Sequence, residues 1–159
     1  FPEIIWQTSD PEMEYRKSIS SWIDHERLNN KMPKPLKIDV KDSPWQIPSN
    51  ILDPLQGIIS INMIHIAPWL CTKSLFKEAS KILKEKKFIL LYGPFKIKDK
   101  HTSESNKLFD KALKKQNNDW GVRNLENVNE EAMINGFKHK QIIEMPSNNL
   151  ILIYRKVSL

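Results

Sequence analysis

Carboxylates placed just after apolar runs are the first residues here that could do chemistry. Asp10 closes the stretch Trp6-Gln7-Thr8-Ser9-Asp10, and Asp39 with Val40 closes a second short run, Leu36–Val40. In doubly wound sheets, ligands bind beyond the carboxyl ends of the strands. A carboxylate in the position of Asp10 can accept hydrogen bonds from the two hydroxyls of a ribose. The same residue can instead cap a helix that starts at Pro11. Asp39 can accept from an adenine amino group while Val40 packs on the base, or it can close an Asx-turn.

Further along, Asn62-Met63-Ile64-His65 follows the most apolar stretch of the chain. Asn62 offers both a donor and an acceptor, and His65 is a candidate base or a histidine bonded to backbone. Tyr92-Gly93-Pro94-Phe95 follows another apolar run, and its two rings suit a substrate wall or a core. Asn106 lies in the constellation His101-Thr102-Ser103-x-Ser105-Asn106 with Asp110, and Arg123 closes Trp120-Gly121-Val122-Arg123. Arg123 can bind an acidic substrate group or pair with a surface carboxylate. The catalytic candidates are thus Asn62, His65 and Tyr92.

These positions need elements to hold them. Residues 3–8 and Leu36–Val40 read as short strands, and 12–28 as a helix. Gln56–Ile66 is rich in β-branched residues and reads as a strand buried on both faces. Trp69–Lys87 has helical apolar spacing, and Phe88–Tyr92 is a strand stopped by Gly93-Pro94. Residues 94–103 read as a loop, long enough to be a functional lid. Glu104–Lys115 and Asn124–Asn135 read as helices, the second ended by Gly136. Phe137–Met145 and Asn149–Arg155 are strands, and the short Pro146-Ser147-Asn148 link forces them antiparallel. The alternation predicts a single α/β domain over 1–159, a doubly wound sheet ending in an antiparallel hairpin.

Composition narrows the classes. There is one cysteine, Cys71, so no internal disulfide framework is possible, and a reducing, cytoplasmic location follows. His25, His65, His101 and His139 are dispersed, and no metal site is expected. No apolar run is long enough for a bilayer span, and no membrane partner is expected. The net charge is +6 with 25 Lys and Arg, but the lysines look scattered along the sequence, so nucleic acid is not the expected partner. The four glycines form no glycine-rich phosphate or dinucleotide loop, and no GxSxG elbow is present.

Six segments in this order carry a family resemblance: Trp6-Gln7-Thr8-Ser9-Asp10, Asn62-Met63-Ile64-His65, Tyr92-Gly93-Pro94-Phe95, Ser105-Asn106 with Phe109-Asp110, Trp120-Gly121-Val122-Arg123, and Met145-Pro146-Ser147-Asn148-Asn149. Together they resemble the domain-of-unknown-function family numbered 938, called methyltransferase-like protein 26 in animals. Thr8 stands where that family usually has proline, and Ser147 where it has alanine. The resemblance implies a class I S-adenosylmethionine-dependent methyltransferase with a seven-stranded sheet. It implies that Asp10 is similar to the ribose-binding acid, and Asp39 with Val40 to the adenine contacts. Asn62 and Met63 would lie beside the methyl donor. His65, Tyr92, Phe95, Asn106, Trp120, Arg123 and Asn148 would line the pocket of an acceptor that the resemblance does not identify.

Members of that family carry an earlier strand and a glycine-rich turn before the Trp-Gln segment, and this chain begins after that place. The turn lets backbone N–H groups approach the cofactor closely. The lost strand would lie between the Ile4 run and the Ile59 run, so an exposed apolar edge is expected. Tight cofactor binding by this chain alone is not expected. A homodimer or a strand-donating partner would complete the sheet, and a non-catalytic interaction module is the alternative reading.

Overall fold

The computed structural model describes residues 3–158, which belong to two compact units, Phe1–Pro54 and Leu55–Leu159. The first unit holds helix α1 (Met13–His25) and a single turn of helix, α2 (Ser49–Leu52). The expected strands over 3–8 and 36–40 are not formed. What remains is one parallel bridge, Ser9 to Leu36, with main-chain bonds Leu36 N to Thr8 O and Asp10 N to Leu36 O. Ile4, Ile5 and Trp6 are 40%, 55% and 44% exposed, so the apolar run that suggested a buried strand has no cover among the described residues. Glu12 rather than Asp10 is the N-cap of α1. Asp10 sits just ahead of it, its Oδ1 accepting the Glu12 N–H at 2.8 Å. The helix stops at His25, three residues short of the span expected from the sequence.

The second unit is built on a sheet of β1 (Gly57–Ile61), β2 (Phe88–Gly93), β6 (Phe137–Met145) and β7 (Asn149–Lys156), in the order β1-β2-β7-β6. β1 and β2 run parallel, and β7 is antiparallel to both of its neighbours. The parallel pair is joined by a crossover through α3 (Trp69–Ile82). Parallel strands require such a crossover, whereas the three-residue link after Met145 permits only the hairpin. Along β2 the residues Ile89, Leu91 and Gly93 are buried while Phe88, Leu90 and Tyr92 are half-buried, the period-two pattern of a pleated strand.

α3 and α5 (Leu125–Ile134) cover one face of this sheet. α3 presents Cys71, Thr72, Leu75, Phe76, Glu78 and Ala79 as a buried stripe at helical spacing, and α5 presents Leu125, Val128 and Ala132. Phe76 meets Tyr154 edge-on at 5.4 Å and lies 5.9 Å from Phe137. Fully burying a ring of this kind contributes about 2–3 kcal/mol. Tyr154 brings a hydroxyl into that core, and it donates to Asn129 Oδ1 at 2.8 Å. Gly136 follows α5 with φ +76, a left-handed position that suits glycine and releases the chain into β6.

Four expectations are corrected here. β1 ends at Ile61 rather than Ile66, because Asn62 turns left-handed and Met63–His65 form a 3-10 turn. β1 is not buried on both faces: Ile59 is 37% exposed and Ile61 63%, two residues on the same face that the described residues leave poorly covered. The segment 94–103 is ordered rather than a plain loop, as β3 (Phe95–Ile97) and β4 (Lys100–His101) form a small antiparallel pair. β3 also pairs in parallel with β5 (Arg123–Asn124), which brings the Trp-Gly-Val-Arg segment to the end of the main sheet. α3 is also shorter than expected, giving way before the 84–87 turn.

Candidate functional site at the carboxyl end of the sheet

The end of β1 is shaped by Asn62. Its φ of 56° and ψ of −10° are left-handed, a region asparagine tolerates better than most residues. Its N–H donates to Tyr92 O at 2.9 Å, and its carbonyl accepts from His65 N at 3.0 Å, so the turn is tied to the end of β2. Gly93 makes the close approach possible. A Cβ at that position would stand 2.5 Å from His65 Nε2 and 2.9 Å from Asn62 Oδ1, which no side chain could accept.

His65 is fully buried and edge-on to Phe95, with ring centroids 5.1 Å apart. Among the described residues neither ring nitrogen has a partner at ordinary hydrogen-bond geometry. Burial, aided by the positive charge of Arg123, pulls the imidazole from 6.5 down to about 4, while the Gly121 main chain and Asp110 act weakly the other way. The ring is therefore neutral at pH 7 and enclosed.

Trp120-Gly121-Val122-Arg123 holds this turn from outside. Gly121 N–H donates to His65 O at 2.9 Å. Arg123 Nε donates to Ile64 O at 2.8 Å, and Nη2 donates to Ala67 O at 2.5 Å and Asp119 O at 2.8 Å. Its guanidinium also lies over the Trp69 ring at 5.8 Å. Arg123 thus staples the 64–67 backbone instead of pairing with a carboxylate. Helix α4 (Glu104–Gln116) braces the staple through Asp110, which is 4% exposed. Asp110 Oδ1 accepts from Val122 N–H at 2.7 Å, and Oδ2 accepts from Lys114 at 2.7 Å with His101 Nε2 3.4 Å away. Burial alone would raise the Asp110 carboxyl, but the bonds from Lys114 and Val122 and the charges of Lys114 and Lys96 outweigh it and hold the carboxyl below its ordinary value. Gly121 is needed here because a Cβ would stand 2.6 Å from Asp110 Oδ1.

A second set of bonds converges on the turn between β6 and β7. Ser103 caps α4 by accepting from Asn106 N. Buried Asn106 donates through Nδ2 to Thr102 Oγ1 at 3.0 Å and to Asn148 O at 2.9 Å. Asn149 Nδ2 donates to Tyr92 OH at 3.0 Å. Asn62, His65, Tyr92, Phe95, Asn106, Arg123 and Asn148, together with Trp120, are therefore gathered at one end of the sheet. Their motifs mostly hydrogen-bond to one another's backbone. Asp110, Ser103 and Asn149 complete the lattice; the sequence placed the first two beside Asn106 without giving them a role of their own. Asp110 and Lys114, at i and i+4, were a legible ion-pair signal.

The cofactor candidates divide between the units: Asp10, Asp39 and Val40 lie in the first, Asn62 and Met63 in the second. Asp10 has one oxygen in the local turn and is half-buried, which leaves acceptor capacity for a ribose hydroxyl. Asp39 is more committed. Its Oδ1 accepts Lys41 N–H at 2.9 Å and its Oδ2 is 3.3 Å from Lys41 Nζ, the Asx-turn arrangement. Val40 uses its carbonyl to accept from Trp45 Nε1 at 3.2 Å. Asp10 therefore keeps a free acceptor oxygen while both oxygens of Asp39 face Lys41, and among the described residues there is no glycine-rich strand-to-helix turn. Among those residues no group of three or more His, Cys, Asp or Glu could hold a metal, and no helix is long and apolar enough to cross a membrane.

A sheet ordered β1-β2-β7-β6, with the reversed strand inside and polar turns gathered at the carboxyl ends of β1 and β2, is the Rossmann-like arrangement of methyltransferases. Solved structures agree. The mitomycin 7-O-methyltransferase MmcR superposes with a TM-score of 0.82 at 11% identity, over 99% of this chain and 43% of that one. An O-methyltransferase family 2 protein from Planctomyces limnophilus, in complex with apigenin, gives 0.76 at 17% identity over 94% and 42%. An O-methyltransferase of neocarzinostatin biosynthesis, in complex with S-adenosylmethionine and a naphthoic acid, gives 0.75 at 10% over 98% and 42%. The chain spans less than half the length of each. It belongs to the family described as protein of unknown function (DUF938), whose profile matches residues 1–156.

Proposed function

We propose that this chain is part of an S-adenosylmethionine-dependent methyltransferase whose acceptor binds at the carboxyl end of the sheet. The observation that carries the reading is the Asn62 turn, locked to Tyr92 and Gly93 at the ends of two parallel strands, in a fold shared with methyltransferases solved with that cofactor. In this reading both units belong to one cytoplasmic domain. Asp10 accepts from the ribose, Asp39 and Val40 flank the adenine, and Asn62 and Met63 lie beside the sulfonium. S-adenosylmethionine, when bound, supplies the methyl group. The chain's own residues orient the acceptor: Tyr92, held by Asn149, and the Asn106–Asn148 pair define its wall. Methyl transfer depends chiefly on in-line positioning of the acceptor. His65, neutral and enclosed, shapes that wall from behind and is the base candidate only for an acceptor that reaches its ring.

Isothermal calorimetry of the chain with S-adenosylmethionine tests the cofactor assignment. Measurable binding weakened at least tenfold by Asp10→Asn supports it, and binding indifferent to Asp10→Asn and Asp39→Asn overturns it. A second reading is favoured by β1, whose outer edge pairs with nothing among the described residues and leaves Ile61 63% exposed. In that reading the chain is an interaction module completed by a strand from a partner or a second copy. A stable monomer by light scattering, with fully protected β1 amides in hydrogen exchange, would count against it.

A further inference from the structure

The lysines that look scattered in the sequence are collected by the fold at the opposite end of the sheet from the site. Three segments meet there: the turn 84–87 before β2, residues 138–140 of β6 and residues 155–156 of β7. They are joined by main-chain bonds, Lys86 N to Lys156 O at 3.0 Å and Lys156 N to Lys87 O at 2.8 Å, and by Arg155 Nη1 to Lys86 O at 2.8 Å. Lys138 stands directly opposite Arg155 in the β6–β7 register. The rim holds seven cations, Lys84, Lys86, Lys87, Lys138, Lys140, Arg155 and Lys156, and one carboxylate, Glu85, which accepts from the Ser158 hydroxyl. Of 25 Lys and Arg and 19 Asp and Glu in the chain, this leaves 18 against 18 elsewhere. The whole net charge of +6 is therefore located on this rim.

Two local costs are concentrated at the same place. Like charges directly opposite one another destabilise a strand pair, and Lys138 faces Arg155. Lys86 has φ +67, the left-handed region that favours glycine. Among the described residues none of the seven cations is paired with a carboxylate.

Next to the rim lie the most exposed large apolar side chains of the described residues, Met133 at 70% and Ile134 at 67%, at the end of α5. They are joined to it through Lys156 Nζ, which donates to Asn135 O at 3.1 Å, and through Val157 N to Gly136 O at 3.0 Å. Val157, itself 36% exposed, extends the apolar edge. Cations beside exposed aliphatic residues suit a surface that is anionic at its face and apolar beneath. A single-stranded nucleic acid would call for rings on which bases stack, and a duplex would use the cations alone; neither gives a use to the exposed Met133, Ile134 and Val157. The geometry points to the rim of Lys84, Lys86, Lys138, Lys140 and Arg155, with Met133 and Ile134, as a peripheral docking surface for an anionic lipid bilayer. It sets the candidate site at the far end of the sheet, facing away from the lipid.

Co-sedimentation of the chain with vesicles tests this, using phosphatidylcholine with phosphatidylserine against phosphatidylcholine alone. Pelleting is expected only with the anionic vesicles, and it should vanish at about 1 M salt, where screening acts within about 3 Å. Each cation removed should weaken partitioning about fivefold, so the triple variant Lys84→Glu, Lys138→Glu and Lys140→Glu should abolish it. Lys107→Glu, Lys111→Glu and Lys115→Glu on α4, with the same change in net charge, should retain most of it. Met133→Ser with Ile134→Ser should weaken vesicle binding and leave binding of a single-stranded oligonucleotide unchanged. No pelleting with anionic vesicles would overturn the proposal, as would equal loss in the two charge-reversed triples. Oligonucleotide binding that tracks the rim lysines, with vesicle binding indifferent to Met133 and Ile134, would reassign the rim to nucleic acid and overturn the lipid assignment.

Discussion

The enclosed imidazole of His65 makes stability depend on pH within a definite window. In the unfolded chain this group titrates at about 6.5, and in the native structure at about 4. Above 6.5 both states are neutral there and no penalty arises. As pH falls from 6.5 to 4, the unfolded chain takes up a proton that the native chain does not, so unfolding becomes progressively easier. Each pH unit between the two values is worth about 1.4 kcal/mol, which gives a loss of about 3 kcal/mol by pH 4 and no further loss from this group below it. Such a loss is a large part of the about 5–15 kcal/mol that holds a typical domain together. The Asp110 carboxyl, held below its ordinary value of 3.8, adds its own loss only at still lower pH, so the two contributions separate. Urea unfolding followed by tryptophan fluorescence at a series of pH values measures the effect, with linear extrapolation at each. The decisive comparison is His65→Leu, which keeps roughly the volume and removes two unpartnered polar atoms. Its stability should be flat between pH 6.5 and 4 relative to the parent. If the variant shows the same fall, the burial argument for His65 is wrong.

Three further outcomes follow from the same lattice and its neighbours. Asp110→Ala strands the buried Val122 N–H and should cost about 2–4 kcal/mol, whereas Lys114→Ala, at a half-exposed pair, should cost under about 1 kcal/mol; equal losses in urea titrations would refute the brace. Gly93→Ala drives a methyl group into His65 Nε2 and should cost about 1–3 kcal/mol, read as a lower thermal midpoint, and pairing it with His65→Ala should recover part of that. Lys98→Asn, at a left-handed position (φ +50) in the turn between β3 and β4, should raise stability by about 0.5 kcal/mol, and a fall of that size would show that the turn is not strained.

Sequence patterns read best where local chemistry and tertiary partners agree. The β6–β7 hairpin was legible because Pro146-Ser147-Asn148 leaves too little chain for any other connection. α3 was legible because its apolar stripe keeps helical spacing over four turns. The runs at 3–8 and 36–40 were apolar enough for strands, yet a strand needs neighbours, and only Ser9 and Leu36 find one another. The β3–β4 pair escaped notice because Lys98 and Asp99 lack the usual glycine. Their turn is held from outside, by Glu126 accepting from Lys98 N–H and by Asn124 bonding Asp99. The site behaved differently. Its residue types were visible in the sequence, and their meeting at one end of the sheet was a fair inference from strand ends. Their division of labour was not, because Arg123, Asn106 and Asp110 spend their polar atoms on backbone groups 12 to 59 residues away in sequence.

The position of β7 also governs the order in which the sheet can form. It is the last strand of the described chain, yet it lies between β2 and β6 and bonds to both. Until residues 149–156 emerge during synthesis, β2 and β6 have no common neighbour, and their inner edges stay open. The β2–β7 pairing closes a loop of about 60 residues, and non-local closure of that kind slows folding relative to helical domains. The hairpin β6–β7 is local and can form first, so the late step is its docking as a unit onto β2. Loss of residues 149–156 would therefore disconnect the sheet rather than trim its edge. Nascent chains stalled before Asn149 should be the aggregation-prone species.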